Sequence, residues 1–166
     1  IVYSRDTVLH QKDPYEFIKS LLNAAKYSLI LRLRTRDSGD TILDIKNSCQ
    51  LNYDNFWMPY IVLNFDELIG FLLDQESVSS IKINKSYMVL GGQNNRYLAK
   101  ELFYKKTGCS ETSISIELSD QEKKINKEVT IHNNLEGQNF LLKNKRKALL
   151  SRLVSLLTNY RNWGAN

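Results

Sequence analysis

The chain is poor in the residues that punctuate or staple a fold: among 166 residues there are two prolines, two cysteines, two histidines and seven glycines. Two cysteines, Cys49 and Cys109, with no CxxC pair, leave no disulfide framework and no Cys/His zinc site of the usual spacing. They are expected as free, buried thiols in a reducing compartment. No apolar run approaches the ~18 residues of a membrane span. The longest, Ile61 to Leu63 resumed at Leu68 to Leu73, is broken by Asn64, Asp66, Glu67 and Gly70. No basic segment followed by an apolar block opens the chain, so no signal peptide is expected. Gly91-Gly92 lacks both the phosphate-loop lysine and the dinucleotide-binding glycine spacing. There is no nucleophile elbow, and His10 and His132 have no paired nucleophile. No catalytic residue, cofactor or bound metal is expected.

What is present is ordinary in amount and uneven in placement. Hydrophobic residues make up 42% and charged residues 25%, enough for a real core in a single domain spanning 1–166. Residues 1–83 carry 9 basic and 11 acidic side chains, whereas residues 84–166 carry 14 and 7. The second half is thus net +7 and the first net −2, which together give the overall +5. A basic half suits a polyanionic partner, because Lys and Arg set against phosphates release counterions. The same charge also serves a solvated surface.

Periodicity divides the chain into elements. Asp13-Pro14 is a helix start, and Phe17, Ile18, Leu21 and Leu22 follow at helical spacing over about 14–25. In 27–36 Leu29, Leu31 and Leu33 alternate with Arg32, Arg34 and Arg36, the pattern of a half-buried strand. Asp37-Ser38-Gly39-Asp40 turns the chain, and Leu43 and Ile45 suggest a hairpin partner carrying Asp44 and Lys46 outward. Residues 58–63 read as a strand, and Asn64 caps a helix of about 65–75. Strands follow near 80–90, at 113–118 and 129–132, weakly at 97–106, and briefly at 140–142. Asn144 caps a last helix with Leu149, Leu150, Leu153, Val154, Leu157 and Tyr160 on one stripe. The order is helix, then strands and helix, then strands and helix again.

Four constellations carry chemistry. Arg32, Arg34 and Arg36 on one strand face make a row spaced ~6.5–7 Å, comparable to successive phosphates of a single strand, and Lys46 extends it. The alternative is a solvated face with the arginines paired to Asp37, Asp40 and Asp44. Lys143, Lys145, Arg146 and Lys147 cluster where a helix begins, a position that can grip phosphate. Tyr53, Trp57 and Tyr60 lie in the aromatic stretch YDNFWMPY and are candidate base-stacking rings, worth about 1–3 kcal/mol per base. Such stretches also form cores and oligomer interfaces. Asp40 and Asp44-Ile45-Lys46 echo the acid-x-Lys core of metal-dependent nucleases, although no further acid or histidine completes the set.

The segment Ile61-Val62-Leu63-Asn64-Phe65-Asp66-Glu67-Leu68-Ile69-Gly70-Phe71-Leu72 resembles the strand-to-helix step of the transcriptional positive cofactor and Whirly superfamily. Phe140-Leu141-Leu142 with the helix from Asn144 looks like a second such step. The superfamily includes the kinetoplastid mitochondrial RNA-binding proteins. The resemblance follows element order, and the plant Lys-Gly-Lys-Ala-Ala segment is not present. It implies an α+β fold with antiparallel sheets in two strand-rich units, about 27–76 and 80–162, each closed by a helix. It also implies single-stranded RNA or DNA on the sheets and helices that help build an oligomer.

The function expected is therefore non-catalytic binding of single-stranded nucleic acid, RNA before DNA, in an intracellular setting such as a mitochondrion or other organelle. Two alternatives stand beside it: a structural subunit of a larger ribonucleoprotein or protein assembly, and a metal-dependent nuclease.

Overall fold

A computed structural model describes residues 1–51, 56–87, 96–98, 108–119 and 127–134. Among these the chain is α+β, with two sheets rich in antiparallel pairs and two helices. In chain order the elements are β1 (Val2–Arg5), a 3-10 turn (Val8–His10), α1 (Pro14–Ala24), β2 (Ser28–Arg36), β3 (Ser48–Leu51), β4 (Trp57–Pro59), β5 (Leu63–Asn64), α2 (Phe65–Leu73), β6 (Val78–Tyr87), β7 (Arg96–Leu98), β8 (Cys109–Leu118) and β9 (Glu128–Asn134).

Both helices begin where the sequence places caps. The Asp13 carboxylate accepts from the Glu16 amide at 3.0 Å, with Pro14 in the first turn. The Asn64 side chain accepts from the Glu67 amide at 2.9 Å, with Asp66 and Glu67 complementing the helix dipole. At the other end of α2, the Lys127 ammonium donates to the carbonyls of Leu73 and Gln75. It thus satisfies C-terminal groups that the helix leaves open.

The large sheet runs β1-β2-β8-β6-β9, and β5 also pairs with β2. β8 is antiparallel to both β2 and β6, whereas β1 and β5 are parallel to β2 and β9 is parallel to β6. Leu31, Ile114 and Ile83 stand in one cross-strand row, and Leu29, Ile116 and Ile81 in the next. All six are fully buried, together with Ile18 and Leu22 of α1 and Leu68 and Leu72 of α2. Both helices therefore cover the same face of the sheet.

That apolar face becomes polar toward the C-terminal ends of β2 and β6. The next rows are Leu33–Thr112–Lys85 and Thr35–Ser110–Tyr87. The hydroxyls of Thr35, Ser110 and Thr112 lie 2.6–3.0 Å from one another and are fully buried, so they serve as one another's donors and acceptors. Beside them Lys85, only 4% exposed, pairs with the Asp37 carboxylate and sits 3.8 Å above the Phe65 ring. Gly108, at φ 64°, passes so close to Asp37 that a Cβ there would strike the carboxylate.

A smaller sheet, β4-β3-β7, is antiparallel throughout. Tyr60, Val62, Leu98 and Cys109 join Leu9 in a second buried cluster. Cys49 and Cys109 are both buried, and neither is in a disulfide.

Two expectations change. The run 58–63 is not one strand: it divides between β4 of the small sheet and β5 of the large one. At the division the Ile61 amide turns to the Leu9 carbonyl at 2.8 Å and the Tyr60 amide to Ser48 at 3.0 Å. The hairpin joining 27–36 to 42–46 is absent. β1 and β5 fill one edge of β2 and β8 the other, while Asp44 to Asn47 forms a turn that leaves Leu43 and Ile45 exposed. The units around 27–76 and 80–162 therefore share one sheet, because β2 of the first pairs along its whole length with β8 of the second.

The buried Lys85–Asp37 pair yields a direct test. Asp37→Ala strands the ammonium without its counter-charge, an expected loss of roughly 3–5 kcal/mol in urea unfolding. A Lys85→Met/Asp37→Leu double variant should recover most of that loss. Burial, a hydrogen bond to Asp37 and that carboxylate's charge push the Tyr87 phenol up from 10.0 to about 12. Because the folded value is raised, this contribution to stability is complete below about pH 10 and is lost as pH rises through about 12. Unfolding across that window should show the unsubstituted protein losing stability relative to Tyr87→Phe as pH rises from about 10 to about 12.

Candidate nucleic-acid interface

Registered neighbours in a sheet project to the same side, so the face opposite the helices can be read strand by strand. One row runs Tyr3, Ile30, Ser115, Lys82 and Thr130; the next runs Arg5, Arg32, Ser113, Asn84 and His132. A third places Arg34, Glu111 and Ser86 together. Only Ile30 in these rows is aliphatic. Tyr3 is 60% exposed at one edge, and Arg5, Lys82, Asn84 and His132 are exposed. A groove of about 490 Å³ crosses the face, bounded by Tyr3, Arg32, Asn84, Glu111, Ser113 and His132 among others.

The arginine row is real as a row but is not an open one. Arg32 pairs with Glu111. Arg34, 8% exposed, reaches Asp6 at 3.0 Å and Glu111 at 3.6 Å. Arg5 adds a 3.6 Å contact to Asp6, which completes a chain of three arginines and two carboxylates. Asp6 adopts a left-handed backbone at φ 56°, with its amide donating to the Arg32 carbonyl at 2.8 Å. Arg36 is buried and donates to the Ser38 and Asp40 carbonyls, and Gly39, at φ 79°, leaves room for its guanidinium. Arg34 and Arg36 are thus internal groups, and of the row only Arg32 borders the groove. The carboxylate partners of Arg32 and Arg34 are Glu111 and Asp6, where the sequence suggests Asp37, Asp40 and Asp44.

The remaining candidates separate. Lys46 stands in an exposed turn and not on a strand beside the arginines. Its amide and the Asn47 side chain both donate to the Asp44 carboxylate, at 2.9 and 2.7 Å. The acid-x-Lys motif is therefore a local turn, with Asp44 serving its own loop. Tyr60 is 2% exposed, with the Arg96 guanidinium 4.5 Å from its ring centre and His10 at its edge, so it belongs to the core and offers no face to a base. Trp57 is 55% exposed on β4, and Tyr97 on β7 is 56% exposed. Tyr53, Lys143, Lys145, Arg146, Lys147 and the C-terminal helix lie outside the described residues.

Tyr3, Asn84, Glu111, Ser113 and His132 are not among the binding candidates that the sequence suggests. The signal available is the polar alternation Glu111, Ser113, Ser115 and Glu117 in β8, which marks a face that neither α1 nor α2 covers among the described residues once β8 is placed at the sheet centre.

Among the described residues no three His, Cys, Asp or Glu side chains converge as a metal site, and no helix is long and apolar enough to cross a membrane. Comparison with protein-family models, with curated proteins and with solved structures found no significant match.

Buried Arg34 separates scaffold from interface. Arg34→Met removes the cation between Asp6 and Glu111 and is expected to cost roughly 3 kcal/mol in urea unfolding. Arg32→Ala, in a partly exposed pair, should cost about 1 kcal/mol.

Proposed function

We propose that this protein binds single-stranded nucleic acid, RNA before DNA, on the open polar face of its large sheet and without catalysis. The observation that carries the reading is the contrast between the two faces. One is apolar over most of its extent and covered by α1 and α2; the other presents Arg, Lys, Asn, Ser, Thr, His and Glu side chains, several of them around a groove, with a tyrosine at its edge. Open sheets that bind single strands combine cations for the backbone with rings for the bases. Arg5 and Lys82 are the exposed cations here, Arg32 borders the groove and Tyr3 is the stacking ring.

The strand-to-helix step that carries the Whirly resemblance supports the same reading, since β5 runs directly into α2 at Asn64–Phe65. In that superfamily the sheets take the single strand. The Whirly-like arrangement, an organellar site of action and an oligomeric state belong to this proposal.

A second reading, a structural subunit of a larger assembly, is favoured by Trp57 and Tyr97. Both are more than half exposed and stand on the same face of the small sheet, on either side of β3.

Binding of a fluorescent U-rich oligonucleotide across a salt series tests the proposal. With two to three phosphates neutralised, log K should fall with log salt at a slope of about −2, and Arg5→Ala or Lys82→Ala should each flatten it by roughly 0.7. Absence of binding at low salt sinks the proposal and leaves the assembly reading.

A further inference from the structure

The groove holds a carboxylate where a phosphate clamp would hold only cations. Glu111 lines the groove, and both arginine contacts to that side chain, from Arg32 and from Arg34, fall on the single oxygen Oε1. Arg34 is buried and tied to Asp6 as well, so the carboxylate is held from below. The two arginines nearest a phosphate here are already committed to that carboxylate, which would compete with the phosphate for them. The exposed cations Arg5 and Lys82 lie instead at the sheet edge and in the adjoining row.

Resting on the nucleic-acid reading above, we infer that this groove reads a base and not a phosphate, and that the base it fits is guanine. A carboxylate accepts two neighbouring N–H donors side by side. Guanine alone among the four common RNA bases presents such a pair, N1–H and the N2 amino group, on one edge. Its O6 and N7 are the acceptors that an arginine fork matches. Glu111 supplies the acceptor, Arg32 the fork, and the Asn84 amide and Ser113 hydroxyl stand in the same row as Arg32 for further hydrogen bonds. Tyr3 closes the edge with an exposed ring for stacking. Phosphates on either side of the base would then run toward Arg5 and Lys82.

The test uses the full chain and short U-only oligonucleotides carrying one central guanine, inosine or adenine, with Kd measured by fluorescence anisotropy. Guanine should bind at least about tenfold more tightly than adenine. Inosine, which keeps N1–H and O6 but lacks the N2 amino group, should fall between them. Glu111→Gln, checked for folding by its thermal melt, should erase the guanine preference. The comparison of the three bases on the unsubstituted protein stands even if that variant fails to fold. Equal affinity for all three overturns the inference and leaves single-strand binding intact, whereas no binding to any of them overturns both.

Discussion

The register of β8 between β2 and β6 is the constraint on which the rest depends. It sets Leu31, Ile114 and Ile83 in one row and Leu29, Ile116 and Ile81 in the next, and those rows give α1 and α2 a surface to cover. Because side chains alternate along a strand, a slip of one residue would turn the polar set inward. The same register fixes the opposite face, where Arg32, Ser113, Asn84 and His132 come into line from four strands. Core and candidate interface are two sides of one pairing.

The buried charges follow from that geometry. Placing arginines on the uncovered face did not leave them free, because β8 brings Glu111 beside Arg34, and the turn after β1 brings Asp6 to the same guanidinium. On the covered face Lys85 occupies a core-facing position and is accommodated by Asp37, the Phe65 ring and a neighbouring set of hydroxyls. Removing one member of such a group leaves another charge without its partner in a poorly hydrated place, so these sites are stability determinants first. What remains for binding is the exposed polar layer around the groove.

Much of this was legible in the sequence at the level of elements. Asp13-Pro14 and Asn64 mark both helix starts, and the alternation in 27–36, near 80–90, at 113–118 and at 129–132 marks strands and their apolar faces. Pairing was not legible. Alternation tells which residues share a face but not which strand lies alongside, so it does not reveal the parallel partners β1, β5 and β9, and the nearest alternating run, Leu43 to Lys46, suggests itself as a hairpin mate. The arginine row shows the same limit: its position opposite Leu29, Leu31 and Leu33 was readable, but its partners Asp6 and Glu111 lie 28 and 77 residues from Arg34. For Tyr60 the sequence leaves both a stacking ring and a core residue open, because nothing local tells that Leu9, Leu98 and Cys109 close around it.

The central claim is that the open face of the large sheet is where a single strand lies. Ultraviolet cross-linking of a 4-thiouridine oligonucleotide, followed by mapping of the attached peptide, tests it most directly. The account predicts adducts on the segments carrying Tyr3, Asn84 or His132. Adducts confined to Trp57 or Tyr97 would contradict it and move the interface to the small sheet.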